Sequence, residues 1–186
     1  MTDKRGVLKN RLPLVVRGST LVNVATERWF LKLDGIPGES TDAAHKGEID
    51  VESWSWGLSN SGSTSSGGGG GSGKASFKDF RFITRISTAS PALFLACATG
   101  SHLREANLSG VRDVGKGKGI DFLKYKLRDV LVTSLDQGDA EADVPSQQFS
   151  LSFAKVEVSY FPQSASGKMG NPVTAGYDVK ANKKSE

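Results

Sequence analysis

Leu123-Lys124-Tyr125-Lys126-Leu127-Arg128-Asp129-Val130-Leu131-Val132 holds the pattern that decides the fold. Up to Arg128, apolar side chains at odd positions alternate with charged ones at even positions, the period-two mark of a strand with one face on a core. From Val130 onward the apolar parity is reversed. A one-residue shift turns every side chain to the other face of a sheet. The same change recurs where Ile49 and Val51 give way to Trp54 and Trp56, and where Phe149, Leu151 and Phe153 give way to Val156, Val158 and Tyr160. Long strands that change face midway are read as bent strands serving two sheets, the construction of a small barrel or orthogonal sandwich. At the tryptophans, two explanations stand: a β-bulge near Glu52-Ser53, or a strand buried on both faces.

The expected fold is mainly β, a small β-barrel of two packed antiparallel sheets with one short α-helix. Ser90 is placed at the N-cap of that helix, Pro91 at its first position, and Gly100 just past its end. Leu93, Phe94, Cys97 and Ala98 fall on one face at helical spacing, and Leu93, Phe94 and Cys97, with Trp54 and Trp56, are assigned to the core. Trp29 to Leu33 reads as a strand closed by the Asp34-Gly35 turn signal, and Glu48 to Leu58 as another. Further strands are expected at Ala75–Ile86, Leu103–Val111, Ile120–Thr133, Gln148–Phe161 and Gly176–Lys180. The Ser/Gly run from Ser59 to Gly73 is expected to be a flexible loop.

The 186 residues suit one domain able to bury a core without disulfide or metal. The boundaries expected are an N-terminal extension over 1–28, the barrel over 29–180 and a polar tail over 181–186. Cys97 is the single cysteine, so no intramolecular disulfide can form, and it is read as a core thiol rather than a nucleophile. The net charge of +4 resides entirely in residues 1–28; the remainder carries 18 basic and 18 acidic groups, a poor footprint for a phosphate backbone. Leu12 to Val16 is five residues long, short of the roughly 7–15 of a secretory h-region. No stretch approaches the ~18 apolar residues of a membrane span. No membrane partner and no nucleic acid partner are therefore expected.

No catalytic, cofactor-binding or metal-ligating constellation stands out. The Gly68 to Lys74 run imitates a phosphate loop, but Ala75 stands where the Mg²⁺-binding Ser or Thr belongs. His45 and His102 share no ligand spacing with Cys97 or with carboxylates, and both are expected to face solvent. Lys78-Asp79-Phe80-Arg81-Phe82 interleaves basic and aromatic residues as single-strand-binding barrels do, although a strand with one polar face explains it as well.

A more specific combination is Phe30-Leu31-Lys32-Leu33-Asp34-Gly35-Ile36-Pro37-Gly38-Glu39-Ser40, then His45, Glu48-Ile49-Asp50-Val51 and Trp54-Ser55-Trp56-Gly57, followed by a Gly run. It continues through Lys74, Ser90-Pro91, Ala98-Thr99-Gly100, Leu127 to Val132 and Gly176-Tyr177-Asp178-Val179. This combination resembles the Hcp family, the haemolysin-coregulated proteins of bacterial type VI secretion. The resemblance implies a structural protein and no enzyme: a homohexameric ring, rings stacked into a hollow tube, effectors held in the lumen, and sheath and spike proteins as partners. It implies a cytoplasmic subunit later secreted through the system without a signal peptide. It places Gly38, Glu39, Ser40, Asp42 and His45 in a ring-stacking loop and Ser55 on the lumen; alternation also sets Ser55 opposite Trp54 and Trp56. From a different class, a monomeric barrel that binds polysaccharide or single-stranded nucleic acid is the alternative.

Overall fold

A computed structural model of the chain describes residues 27–60, 75–113, 119–139, 145–163 and 169–185. The strands are β1 (Glu27–Leu33), β2 (Ile49–Ser55), β3 (Leu58–Asn60), β4 (Ala75–Phe77), β5 (Phe80–Arg85), β6 (His102–Asp113), β7 (Gly119–Gly138), β8 (Ser146–Tyr160), β9 (Val173–Asp178) and β10 (Lys183–Ser185); the helix α1 is Ser90–Thr99. The order β8-β5-β2-β1-β6-β7 returns to β8 through a β7–β8 pairing, so six strands close into a barrel. β9 and β10 extend from β8, and β3 pairs β4 in a separate two-stranded ladder. The two packed sheets expected are thus one sheet closed on itself, which leaves its six members no open edge.

The changes of parity have visible causes. The β2–β5 register shifts between Val51 and Ser53, which puts a bulge at Glu52 and favours that explanation over a strand buried on both faces. In β7, Asp129 has φ +53° between buried Leu127 and buried Val130, so the backbone leaves the extended region where the apolar face changes sides. β8 pairs β5 through Ser146–Leu151 and β9 through Lys155–Tyr160, a single strand serving two neighbours in turn.

Phe80, Phe82, Phe149, Leu31, Leu108, Leu127, Val130 and Leu151 are shut off from solvent and fill the barrel. Trp54 and Trp56 pack against them half-buried, Trp56 stacked on Phe80 at 4.8 Å. The helix packs on β7 and sends Leu93 and Ala96 into the core, with Cys97 half-buried beside them. Phe94 is 60 % exposed, as is Leu95, so Phe94 is not a core residue of the subunit. The segment Ala92-Leu93-Phe94-Leu95-Ala96 is apolar all round, and its spacing cannot say which side meets the sheet.

Gly100 has φ +63° and closes the helix as expected. The N-cap position is Ala89 rather than Ser90; the Ser90 hydroxyl accepts a hydrogen bond from the Ser87 N–H, 2.9 Å away, and fixes the turn before the helix. The strand expected over 75–86 is split at Lys78-Asp79, where the Lys78 N–H donates to the Gly57 carbonyl. The last strand expected begins earlier, at Val173, and the polar tail contains β10. Residues 1–26, 61–74 and the Gly68–Lys74 run lie outside the described residues, whereas Ser59 and Asn60 belong to β3.

Candidate functional site

Residues 38–48 lie in the connection from β1 to β2, and three backbone hydrogen bonds fold them back on themselves: Gly38 N–H to Gly47 O, Gly47 N–H to Ser40 O and Ser40 N–H to Glu48 O, at 2.8 to 3.0 Å. Gly38 is demanded by space, since a Cβ there would lie 2.3 Å from the Glu48 carbonyl oxygen. Ser40 is buried. Glu39 accepts a hydrogen bond from the Thr88 N–H in the turn before α1, 3.0 Å away. Asp42 accepts from the Ala44 and His45 N–H groups and pairs with Arg28 at 2.7 Å. The Ala44 N–H first, then Arg28, against the opposing effect of burial, hold the Asp42 carboxyl below the usual carboxylate range.

His45 corrects the expectation of a solvent-facing loop histidine. It is 6 % exposed, stacked on Phe30 with ring centroids 4.6 Å apart. Its Nδ1 lies 2.9 Å from Glu48 and its Nε2 3.0 Å from Asp121 on β7. The imidazole therefore pins the loop to the barrel wall. His102 is exposed, with Nδ1 2.7 Å from Asp129. Of the five loop residues singled out, Gly38, Ser40 and His45 serve internal structure, and Glu39 and Asp42 spend their carboxylates within the subunit. The side chains left outward are Thr41, Ala43, Ala44 and Lys46. Glu48, three residues after His45, could have been suspected as its partner; Asp121, 76 residues away, left no local signal.

Ser55 is exposed at the end of β2, directly across the ladder from Arg81. With Lys78, Thr133, Ser134 and Ser150 it borders an open cleft of about 790 Å³. Phe80 and Phe82 are turned fully inward, so neither ring of the basic-aromatic segment is offered for stacking on a base. That removes the physical basis of the single-strand-binding alternative at this strand. Among the described residues no group of three or more His, Cys, Asp or Glu could hold a metal ion.

The family model described as "Type VI secretion system effector, Hcp" matches residues 30–160, the barrel almost end to end. The chain belongs to the Hcp family. It is 44 % identical over 155 residues to Protein hcp1 of Pseudomonas aeruginosa, spanning 82 % of this chain and 95 % of that one. A solved structure described as a type six secretion system protein matches with TM-score 0.80 and 30 % identity, over 86 % of this chain and all of the other. Hcp1 from Salmonella typhimurium matches with TM-score 0.70 and 36 % identity, over 85 % and 98 %. The chain is a type VI secretion protein of the Hcp family. No described helix is long and apolar enough to cross a membrane.

Proposed function

We propose that this Hcp protein is the structural subunit of a type VI tube: six copies close into a ring, rings stack into a hollow tube, and the lumen carries effectors out of the cell. Family membership along the whole barrel carries the proposal. The surface of the single subunit supports it. Leu58, 54 % exposed, lines an apolar cleft with Val158, Ala175 and Tyr177, and on β8 and β9 Tyr160 and Val173, 46 and 69 % exposed, lie opposite each other. Phe94 and Leu95, adjacent on the helix and each 60 % exposed, form a second exposed apolar group. Two unlike patches suit a heterologous contact, in which one surface of each copy meets a different surface of the next and rotation closes a ring.

The loop 38–48 serves stacking as a pre-folded surface held on the barrel wall, its outward side chains Thr41, Ala43, Ala44 and Lys46 making the contact. Ser55 faces the lumen. The protein performs no catalysis, is secreted by the machine it helps to build, and meets sheath and spike proteins there. Multi-angle light scattering of the full chain tests the assembly. A mass six times 19.8 kDa is expected, and a uniform 19.8 kDa species up to high concentration refutes it.

A further inference from the structure

β5 turns Phe80, Phe82 and Thr84 inward and Arg81, Ile83 and Arg85 outward. Its outward row is set by the ladder: Arg81 lies opposite Ser55 of β2 on one side and Ser150 of β8 on the other, and Ser150 lies opposite Ser134 of β7. One guanidinium thus stands in a cross-strand row of hydroxyl residues on the cleft beside Ser55. The other charges here are mostly committed. Arg85 is held by Glu52 at 2.9 Å, and Asp79 accepts the Thr133 hydroxyl at 2.6 Å. Arg81 and Lys78 have no salt-bridge partner among the described residues, and both are exposed.

We propose that Arg81, with Lys78, makes this face select cargo that presents an acidic protein segment. The proposal rests on Ser55 facing the lumen. A guanidinium offers a planar fork to a carboxylate, and flanking hydroxyls can donate to the remaining carboxylate oxygens. A basic segment would meet two uncommitted cations and a carboxylate already hydrogen-bonded. Two cations on a body whose 18 basic and 18 acidic groups sum to zero make a small anion-binding site, not the extended basic track that a nucleic-acid backbone requires. Repetition of Arg81 in every subunit of a ring multiplies the effect for a cargo that touches several copies.

Fluorescence anisotropy of labelled dodeca-glutamate against the full-length protein tests the proposal. Wild type is expected to bind more tightly than it binds dodeca-lysine, with affinity falling as salt is raised. Arg81→Ser weakens binding roughly ten-fold, the order expected for losing a charge-assisted hydrogen bond. Arg104→Ser removes another exposed cation, one paired with Asp34, and leaves binding unchanged. Equal binding by Arg81→Ser and wild type, or equal losses in both variants, overturns the proposal. So does tighter binding of dodeca-lysine or of a single-stranded oligonucleotide than of dodeca-glutamate. A separate measurement isolates the underlying assignment: Ser55→Cys in a Cys97→Ala background, labelled with maleimide-gold and imaged in rings. Gold at the ring centre supports it; gold on the rim refutes the lumen and with it the cargo, whatever the peptide result.

Discussion

Replacing Gly38 with alanine separates two roles for the loop, contact with a neighbouring ring and internal structure. A methyl group at Gly38 would sit 2.3 Å from the Glu48 oxygen, 2.4 Å from its carbonyl carbon and 2.5 Å from the Ile49 nitrogen. All three are backbone atoms at the Glu48–Ile49 peptide, where the loop enters β2, and cannot rotate away. Relief requires the loop to lift, which breaks the hydrogen bonds of Gly38 N–H to Gly47 O and Ser40 N–H to Glu48 O. At about 0.5–1.5 kcal/mol each, and with Ser40 no longer buried, the loss is about 2–3 kcal/mol. Were the site open, the same substitution would stabilise by about 0.4–1 kcal/mol through the unfolded chain, so the sign of the effect is itself diagnostic. Urea unfolding gives the free energy, and amide hydrogen exchange of residues 38–48 locates it. A Gly38→Ala protein as stable as wild type, with unchanged exchange in the loop, would refute the close-approach reasoning.

His45→Ala leaves Glu48 and Asp121 without their imidazole and a gap against Phe30, and is expected to cost about 2–4 kcal/mol in urea unfolding. Leu93→Ala is expected to cost about 2–5 kcal/mol, whereas Phe94→Ser one residue on stays within about 1 kcal/mol for the dissociated subunit, a contrast that chemical denaturation reads directly. The Asp178 carboxyl, on β9 with its N–H donor Ala181 and with Lys155 beside it, is held below the usual carboxylate range by the Ala181 N–H first and Lys155 next. Its contribution is full above the unfolded value near pH 4 and is lost as pH falls through the lower folded one. Thermal melts at descending pH therefore show a smaller acid-induced fall in Asp178→Asn than in wild type.

Local signals carried much of this fold. Pro91 and Gly100 bracketed the helix because each acts on its own backbone dihedrals. The bent strands were legible because burial imposes a period of two, and the period broke near the bulge at Glu52 and at Asp129. What stayed hidden depends on distant partners. The β7–β8 pairing that closes the barrel carries no mark in either strand alone. β10 forms from Lys183-Lys184-Ser185 through main-chain pairing with β9, which asks nothing of side-chain polarity. His45 looked like a solvent-facing loop residue because the Asp121 carboxylate and the Phe30 ring that bury it come from two other segments, β7 and β1. Arg81 was visible only as part of an alternating strand until the register set it beside Ser55.

Assembly is the central claim, and class averages of the purified full chain by electron microscopy test it most directly. Six-fold rings with an open centre, stacking where the concentration is high, are the predicted result. Monomers only, or closed dimers with no central opening, would contradict the account.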